Sequence, residues 1–360
     1  MQILFIAPIP PPITGQSLAS KILLDDLMLT HNLDFVNLSK QSFKNGAYTF
    51  KRFLDVLEIF REVYNKQKKS DLIYLTISES ILGNIKDLVI YLICYKKLYK
   101  TYIHVHGGSI KKMVFDKYSL FFIVNKFFLC RLSGIIVLGQ SHVSNFTDFI
   151  DKNKIHIVAN SVEKMFFIDE QNLKEKFANN SIISILFLSN LISGKGYIEL
   201  VDAFISLDSD IQKQIRIDFA GAFESEHQKM IFLENIKPFG QITYHGIVNG
   251  EVKKTLLSAA HIFCLPTSLL EGQPISILEA YASGCVVIST VIGGIGDIFQ
   301  DKINGFQISK KSIDALVSAI LECIQFKDRW VDYAKFNRQL ARKKYGDSVY
   351  KASVRKVLGI

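Results

Sequence analysis

The stretch Leu270-Glu271-Gly272-Gln273-Pro274-Ile275-Ser276-Ile277-Leu278-Glu279-Ala280 decides how the rest of the chain is interpreted. Pro is tolerated at a first helical position, because the N–H there has no helical partner, so a helix is predicted to begin at Pro274. Glu271 then lies in the preceding loop, and Glu279 lies inside the helix, roughly 10 Å further along its axis. The unpaired N–H groups and positive dipole end between the two carboxylates favour a phosphate or diphosphate. A helix with one surface Glu and one capping Glu explains the same spacing.

The residues after this helix indicate a parallel sheet. Gly284 is expected at the C-terminal cap of the helix, and the apolar run Cys285–Thr290 is typical of a buried parallel strand. Two further turns follow, Gly293-Gly294-Ile295-Gly296-Asp297 and Asn304-Gly305-Phe306.

As an ordered set, these pieces resemble the C-terminal half of the retaining GT-B glycosyltransferases of family 4, the glycosyl transferases group 1. That half carries E-x7-E, a small-residue turn with Gly, a strand, GG-x-x-D/E and N-G in this order. The resemblance covers nearly the whole chain and is strongest from Ser189 to Phe306. It implies an α/β fold of the GT-B type, with two Rossmann-like, doubly wound domains facing each other across a cleft.

Short β-branched runs recur along the chain, with helical patterns or loops between them. This alternation predicts βαβ units and two halves, each with a six-stranded parallel sheet. The predicted strands are Ile3–Ala7, Phe35–Leu38, Leu72–Thr76, Tyr102–His106, Gly134–Leu138, Ile155–Ala159, Ile182–Leu188, Ile215–Gly221, Ile242–Gly246, His261–Pro266, Val286–Ser289 and Gly305–Ile308.

The predicted domain organisation follows from this pattern and from a polar stretch at Asp169–Lys176. Residues 1–165 form a basic N-terminal domain on the acceptor side, and residues 166–340 form a C-terminal domain that binds the donor. Residues 341–360 form a last helix, which the resemblance implies crosses back onto the N-terminal domain.

Charge and composition limit the partners. The chain has 360 residues, of which 49% are hydrophobic and 21% charged, as expected of a globular protein with a sizeable core. Residues 1–165 hold 21 Lys and Arg against 13 Asp and Glu, nearly all of the net charge of +9. A basic half indicates an anionic partner, either a phosphorylated acceptor or an anionic membrane surface. No nucleic-acid motif is present, so nucleic acid is not an expected partner.

Two basic–aromatic segments, Tyr91–Tyr99 and Lys111–Arg131, are typical of helices that lie in a membrane interface, although packed helices explain them too. The five cysteines have no zinc spacing and fall mostly in apolar patterns, which indicates a reducing compartment. The N-terminus lacks the basic start of a signal peptide, and no apolar run reaches the ~18 residues of a spanning helix. We therefore expect a cytoplasmic protein, peripheral on the inner face of the cytoplasmic membrane.

The N-terminal half contains two candidate loops that follow predicted strands. The loop Pro10–Ser17 precedes a helix predicted near Leu18, and backbone N–H groups at Gly15 and Gln16 could bind a phosphate or sugar oxygen. A simple Pro/Gly turn is the alternative. In the resembling family, this loop faces the donor diphosphate and the acceptor.

His104-Val105-His106-Gly107-Gly108 ends the fourth predicted strand, with both His side chains on one face. A metal is not expected, because no third ligand is evident. His104 is predicted to be a buried structural residue, whereas the resemblance places His106 beside the donor sugar. Ser141, after the fifth predicted strand, is a candidate on the acceptor side.

In the C-terminal half, Ser189-Asn190-Leu191-Ile192-Ser193-Gly194-Lys195-Gly196 resembles the family motif G-R-L-x-x-x-K-G. Lys195 matches the Lys that neutralises the leaving diphosphate, and Asn190 stands where Arg is usual. Because Asn carries no charge, leaving-group stabilisation would depend more on Lys195 and the helix N-terminus. Asp208-Ser209-Asp210 matches a metal-binding D-x-D, but its position after a helical pattern favours a capped loop.

The sequence and the resemblance together predict a retaining transfer of a sugar from a nucleotide-diphosphate sugar to a polyprenyl-diphosphate-linked saccharide, as in bacterial surface-polysaccharide assembly. Glu279 would hold the ribose, and Glu271 would bind the donor sugar. Lys195 and the N–H groups of Gln273 and Ile275 would bind the diphosphate. Gly272 and Pro274 belong to the same donor-binding loop as Gln273. No metal or other cofactor is expected. A nucleotide-sugar-binding partner without turnover and a nucleotide-sugar epimerase remain as alternatives.

Overall fold

The computed structural model describes residues 1–39, 50–116, 118–178 and 181–360. Within these ranges each of the twelve predicted strands is present, with ends that differ from the prediction by up to three residues. The strands are β1 Gln2–Ala7, β2 Asn32–Asn37, β3 Leu72–Thr76, β4 Thr101–His104, β5 Gly134–Val137, β6 Ile155–Ile157, β7 Ile183–Leu188, β8 Ile215–Ala220, β9 Ile242–Tyr244, β10 Ile262–Leu265, β11 Val286–Ser289 and β12 Gly305–Gln307.

Helices connect the strands, as the alternating pattern predicts. Those in the described ranges are α1 Gly15–Met28, α2 Phe50–Gln67, α3 Ile81–Ile93, α4 Ser119–Leu129, α5 Glu170–Ala178, α6 Tyr197–Ile205, α7 Ser209–Gln212, α8 Glu226–Ile236, α9 Gly250–Ala259, α10 Ile275–Ala282, α11 Ile313–Gln325, α12 Trp330–Lys344 and α13 Asp347–Leu358. None of the helices in these ranges combines the length and the apolar character that crossing a bilayer requires.

The chain divides into two compact α/β units, which confirms the predicted two-domain fold class. Unit 1 contains Met1–Asn160, Glu271–Gln273 and Ser348–Ile360, and unit 2 contains Ser161–Leu270 and Pro274–Asp347. Each unit holds one six-stranded sheet whose paired strands are all parallel.

In each sheet, the order in which successive strands are added reverses at one point. Unit 1 has the order β2-β1-β3-β4-β5-β6, and unit 2 has the order β12-β11-β10-β7-β8-β9. Each order reverses once, between β1 and β3 in unit 1 and between β7 and β10 in unit 2. Ligands of doubly wound sheets bind outside the carboxyl ends of the strands at this switch point. The loops after these four strands are therefore the first places to look for a site.

The sheet of unit 1 is buried on both faces, because alternate residues of each strand point to opposite sides. Leu4 and Ile6 belong to one apolar cluster, whereas Ile3 and Phe5 belong to another that includes Tyr350 and Val354 of α13. The guanidinium of Arg355 also donates to Asp26 of α1 at 2.7 Å. The last helix is thus part of the core of unit 1.

Two helix starts differ from the prediction. Pro274 has φ −61° and ψ 114°, so it is the N-cap, and α10 begins one residue later. Helix α1 begins at Gly15 and not near Leu18, because Thr14 caps it: the Thr14 side chain accepts from the Ser17 N–H, and the Ser17 hydroxyl accepts from the Thr14 N–H. At the other end of α10 the C-cap is Ser283, and Gly284, which was predicted there, follows it with φ +67°. Four of the five cysteines are buried, and Cys130 is exposed.

Candidate functional site

The two loops at the switch point of unit 2 pack directly on each other. The backbone N–H of Ser268, after β10, donates to the carbonyl of Gly194 at 2.7 Å, and its hydroxyl donates to the same oxygen at 3.1 Å. A Cβ on Gly196 would lie 2.4 Å from the Pro266 carbonyl, and its φ is +90°. Only Gly fits so close to another backbone at that φ. The half-buried Lys195, between the two glycines, is thereby fixed directly before α6.

Helices α6 and α10 both begin in segments that follow switch-point strands. Gly196 is the N-cap of α6, and Pro274 is the N-cap of α10. The first N–H groups of a helix have no helical acceptor, and the dipole makes this end positive. An anionic group can therefore be bound at these helix starts, and Lys195 adds a full charge at one of them.

Glu279 is a buried residue of α10 and not a surface glutamate. It is 2% exposed, and its Oε1 accepts from Nζ of Lys253 in α9 at 2.6 Å. Burial raises the pKa of the Glu279 carboxyl, while the Lys253 ammonium acts in the opposite direction. The second oxygen, Oε2, has no hydrogen-bond partner. A hydroxyl group of a ligand would supply the missing donor.

In unit 1, the loop after β4 is held by a carboxylate that the sequence did not suggest. Glu79 follows β3, and its two oxygens accept from the N–H of Ser109, the N–H of Ile110 and the Ser109 hydroxyl at 2.9–3.1 Å. A Cβ on Gly107 would lie 1.9 Å from Glu79 Oε2. The first glycine of the His-Gly-Gly motif is thus required by the close approach of Glu79.

The two histidines of this loop lie side by side, as strand alternation predicts. Their ring centroids are 4.0 Å apart. His104 is fully buried, and its Nδ1 lies 2.7 Å from the Tyr74 hydroxyl, which confirms the predicted structural role. Burial lowers the pKa of His104 well below its usual value and that of His106 to about 4. Both imidazoles are therefore neutral near pH 7.

The segment Glu271–Gln273 packs on the same loop. A Cβ on Gly272 would lie 2.3 Å from the His106 carbonyl oxygen, and a Cβ on Gly108 would lie 2.3 Å from the Glu271 carbonyl oxygen. Two backbones can approach this closely only where neither residue has a side chain. The paired glycines therefore bring Glu271 next to His106, although 165 positions separate them in the chain.

Gln273 is 5% exposed, and both its side chain and its backbone carbonyl form hydrogen bonds. The N–H of Asn160 donates to Gln273 Oε1 at 2.7 Å, the Asn160 amide donates to the Gln273 carbonyl at 2.9 Å, and Gln273 Nε2 donates to the Leu138 carbonyl at 3.3 Å. These bonds fix the end of the segment to residues that follow β5 and β6.

The remaining predicted residues of unit 1 lie at the carboxyl ends of β1 and β5. Gly15 and Gln16 form the first turn of α1, where their N–H groups precede the first helical bonds. Ser141 lies in a short 3-10 helix, Gln140–Asn145, and its hydroxyl is 3.3 Å from His142 Nδ1. Ser141 is exposed and therefore accessible to a ligand.

Residues 168–340 match the family model of Glycosyl transferases group 1. We call this segment, which is similar to that family, the glycosyltransferase domain. It begins seven residues after the first residue of unit 2 and includes Asn190, Lys195, Lys253, Pro274, Ile275 and Glu279.

Known proteins resemble the chain over different lengths. An uncharacterized glycosyltransferase of Methanocaldococcus jannaschii is 23% identical over 280 residues, which are 75% of this chain and 70% of that protein. The Escherichia coli UDP-Gal:alpha-D-GlcNAc-diphosphoundecaprenol alpha-1,3-galactosyltransferase is 36% identical over 66 residues, which are 18% of this chain and 17% of that enzyme.

A solved structure shows that the fold extends over the whole chain. Anabaena HepE, in complex with UDP-glucose, has a TM-score of 0.76 and 16% identity, over 100% of this chain and 99% of that chain. At this identity the likeness establishes the fold alone, which is the GT-B fold that the sequence predicted.

The predicted site residues fall into two groups. In the glycosyltransferase domain, Lys195, Pro274, Ile275 and Glu279 follow switch-point strands, and exposed Asn190 belongs to the same loop as Lys195. In unit 1, His106 and the segment Glu271–Gln273 are in contact with each other. The structure shows where these residues lie, and their roles stay predictions.

Three residues were missed by sequence reasoning, namely Glu79, Asn160 and Lys253. Asn160 could have been found, because it is polar and directly follows the sixth predicted strand. Glu79 and Lys253 carry no local signal, since each is an ordinary charged residue in a loop or helix.

The Asp208-Ser209-Asp210 sequence lies at the start of a short helix. Asp208 is the N-cap residue of α7, and Asp210 pairs with Lys213 at 2.8 Å. Among the residues that the structure describes, no three His, Cys, Asp or Glu side chains are grouped in a way that could hold a metal ion.

Proposed function

We propose that this protein is a retaining glycosyltransferase that transfers a hexosyl or N-acetylhexosaminyl group from a nucleotide-diphosphate sugar to a saccharide acceptor. The observation that carries the proposal is the switch point of unit 2, where Lys195 directly precedes α6 and its turn is bonded to the loop after β10. The group 1 domain supports the reaction class, and the UDP-glucose bound by HepE supports the type of donor.

The glycosyltransferase domain would bind the nucleotide. A ribose hydroxyl would donate to the unpaired Oε2 of Glu279, which Lys253 holds from the other side. The diphosphate is dianionic, and it would be bound by Lys195 and by the N–H groups at the start of α10, Gln273 and Ile275 among them. Asn190 would donate a hydrogen bond from the same loop as Lys195. Transfer by these residues needs no metal or other cofactor.

The residues of unit 1 would contact the sugar and the leaving diphosphate. As the bond from the anomeric carbon to the diphosphate breaks, the sugar gains oxocarbenium character, which the Glu271 carboxylate would stabilise. Neutral His106 would hydrogen-bond a sugar hydroxyl, and the first turn of α1, at Gly15 and Gln16, would bind a phosphate oxygen. The acceptor hydroxyl would attack from the face that the diphosphate leaves and pass its proton to the departing oxygen.

The proposed acceptor is a saccharide linked to polyprenyl diphosphate, in the assembly of a bacterial surface polysaccharide such as O-antigen or capsule. The Escherichia coli relative is named for transfer to such a lipid diphosphate, which supports this choice. Ser141, exposed after β5, would lie on the acceptor side. A lipid acceptor requires that the enzyme reach a membrane surface.

An exposed apolar and basic face of unit 1 supports association with an anionic bilayer. The buried amides of Asn84 and Asn125 hydrogen-bond each other at 2.9–3.0 Å and join α3 to α4, so the outer sides of both helices share one surface. We call this surface the α3–α4 face. Its exposed apolar residues are Leu82, Ile85, Leu92, Tyr95, Tyr99, Tyr118, Leu120, Ile123 and Phe127.

Basic residues flank these apolar side chains. Arg131 stacks over the Phe127 ring at 4.1 Å, and Lys96, Lys112 and Lys126 are exposed nearby in the sequence. Lys117, which belongs to the same sequence pattern, lies outside the described residues. Apolar side chains would enter the interface while lysine and arginine bind anionic headgroups.

The test is a panel of UDP- and GDP-sugars, each with and without a polyprenyl-diphosphate-linked saccharide, with released nucleotide and product as the readouts. We expect acceptor-dependent nucleotide release and a product that keeps the anomeric configuration of the donor. Inversion at C2 of the sugar without acceptor would instead identify an epimerase. Donor binding with no reaction would identify a nucleotide-sugar-binding partner without turnover. The uncharged Asn190 is the reason for considering this role.

Site variants connect the activity to these residues. Glu279→Ala should weaken donor binding roughly 10- to 100-fold, because a hydrogen bond to a charged group is lost. Unchanged donor affinity in Glu279→Ala would remove the proposed ribose contact.

A further inference from the structure

Asn160, three residues after the end of β6, holds a segment that comes more than one hundred residues later in the chain. Its backbone N–H and its side-chain amide both donate to Gln273, at 2.7 and 2.9 Å. The two bonds reach the side chain and the backbone of Gln273, so they fix the position and the direction of the segment. Glu271, two residues earlier, is fixed with it.

The side-chain oxygen of Asn160 is unusual because it is buried and has no hydrogen-bond partner. Asn160 is 3% exposed, and Oδ1 forms no well-aligned hydrogen bond. Both ring nitrogens of His106 are also buried without such a partner. The segment that Asn160 holds lies against His106, because a Cβ on Gly272, the residue before Gln273, would be 2.3 Å from the His106 carbonyl oxygen. Burial lowers the pKa of His106, and the Asn160 side chain acts in the opposite direction.

A second buried asparagine pair in unit 1 shows what a purely structural asparagine looks like here. Asn84 and Asn125 donate to each other's oxygen, so neither Oδ1 lacks a donor. Buried polar atoms in proteins nearly always have a partner, and an exception requires an explanation. The unpaired Oδ1 of Asn160 and the two unpaired ring nitrogens of His106 therefore need an explanation. A ring N–H directed at Oδ1 would satisfy the amide oxygen and leave the second ring nitrogen for a ligand.

We propose that Asn160 is a positioning residue that selects the tautomer of His106 and holds Glu271 against the His106 loop. This inference rests on the proposed function, because it assigns how the proposed sugar-binding residues are oriented. An amide oxygen can only accept, so the His106 nitrogen that faces it carries the hydrogen. The other nitrogen of the neutral ring is then an acceptor and receives a hydrogen bond from a sugar hydroxyl.

The surroundings contain few groups that could replace Asn160 in this role. The titratable groups around the loop are His104, with its ring 4.0 Å from that of His106, Glu79 beside Gly107, and His142 and Glu271 beside Gly108. His104 is neutral and already has Tyr74 as a partner, and Glu79 is bonded to Ser109 and Ile110. Asn160, with its buried and unpaired Oδ1, is therefore the group to which we assign the orientation of His106.

The test uses Asn160→Ala and Asn160→Asp, with Asn337→Ala as the matched control, because the buried Asn337 amide donates to the carbonyls of Cys285 and Asn304 in unit 2. Transfer from the best nucleotide sugar of the panel is measured as kcat, KM and pH profile, and stability is measured by urea unfolding. Because small misplacements of reacting groups can cost about 100-fold, we expect Asn160→Ala to lower kcat roughly 10- to 100-fold. Asn337→Ala should lose stability and keep kcat.

Asn160→Asp tests the role through the pH profile of activity, which would not change if Asn160 were only structural. Its carboxylate still accepts from the His106 N–H but also stabilises the protonated ring, so the pKa of His106 rises from about 4. The acid limb of the pH profile should then move up by about one pH unit or more. Asn160→Ala should not move it upward.

The wild-type protein offers a further measurement that does not depend on a folded variant. In ¹⁵N NMR spectra of the imidazoles, His106 should show one fixed tautomer at pH 7, with one nitrogen protonated. Rapid exchange between tautomers, or wild-type kcat and an unmoved acid limb in both Asn160 variants, would overturn the inference. If the wild type itself turns over none of the sugars, the proposed function fails, whereas the NMR result still reports on Asn160 and His106 alone.

Discussion

The ammonium group of Lys253 lies 2.6 Å from the carboxylate of Glu279, with the Lys side chain 15% and the Glu side chain 2% exposed. The ring of Phe166 lies 5.0 Å from the same ammonium group. A carboxylate this deeply buried stays ionised only beside a cation, because burial disfavours the charged form. Lys253 therefore favours the ionised form of Glu279, which the proposed ribose contact would use.

Replacement of Lys253 by Met should destabilise the protein by about 3–5 kcal/mol, since it leaves a buried charge without a partner. The measurement is urea unfolding at pH 7. Lys254→Met is the control, because Lys254 pairs with exposed Glu251 at 3.3 Å, and such surface pairs contribute about 0–1 kcal/mol. Equal losses in the two variants would show that the Glu279 charge does not depend on Lys253.

Gly107→Ala should disturb the His106 loop, because its Cβ would lie 1.9 Å from the Glu79 carboxylate, which is bonded to Ser109 and Ile110. We expect a loss of about 1–3 kcal/mol in the free energy of unfolding, typical of overpacking. Gly240→Ala is the control, since a Cβ there meets nothing within 4 Å. A Gly107→Ala variant as stable as Gly240→Ala would mean that Glu79 does not clamp the loop.

Lys195→Ala should lower kcat by about 10²–10³-fold, as expected when one donor to a developing charge is removed. Its effect on donor affinity should be smaller, because the charge on the diphosphate grows as the bond breaks. Lys213→Ala, a surface lysine of unit 2 that pairs with Asp210, is the control and should keep wild-type kcat. The measurement is steady-state kinetics with the best donor. An unchanged kcat in Lys195→Ala would show that Lys195 does not stabilise the leaving group.

Acid should destabilise unit 1 through its two buried imidazoles. The pKa of His104 and of His106 lies below the ordinary value of 6.5, at about 4 for His106, so the folded protein keeps them neutral. The unfolded chain binds protons below pH 6.5 that the folded chain does not, so stability present above 6.5 is lost as the pH falls from 6.5 towards 4.

Each such proton contributes a slope of at most about 1.4 kcal/mol per pH unit. Urea unfolding between pH 7 and 5 should therefore show a shallower slope for His106→Gln than for the wild type. Identical slopes in the variant and the wild type would mean that His106 is protonated equally in the folded and unfolded states.

The α3–α4 face should bind anionic vesicles. The double variant Leu120→Glu and Ile123→Glu places two carboxylates where side chains are 68% and 63% exposed, so it should abolish co-sedimentation with phosphatidylglycerol vesicles without unfolding the protein. Met230→Glu, at an exposed apolar residue of unit 2, is the control and should bind as the wild type does. Vesicle binding that survives the double variant would rule out this face.

The sequence by itself determined the strands and their grouping into two sheets. Apolar runs such as Val286–Ser289 are buried on both sides in a parallel sheet, so their period and length are visible without any partner. The sequence also placed Lys195 and Glu279 after predicted strands, whereas the strand order that makes these β7 and β10 switch-point strands came from the structure. Local rules were less exact at helix starts, where capping by Thr14 and Pro274 moved the boundary.

Only the tertiary structure decided which residues meet across long stretches of chain. The contacts between Lys253 and Glu279, between Glu79 and Ser109, and between Asn160 and Gln273 join residues 26, 30 and 113 positions apart. Each involves a polar residue of ordinary local character, and its partner is selected by the packing of whole elements. Periodicity and capping act over one or two turns, so they carry no information about such pairs.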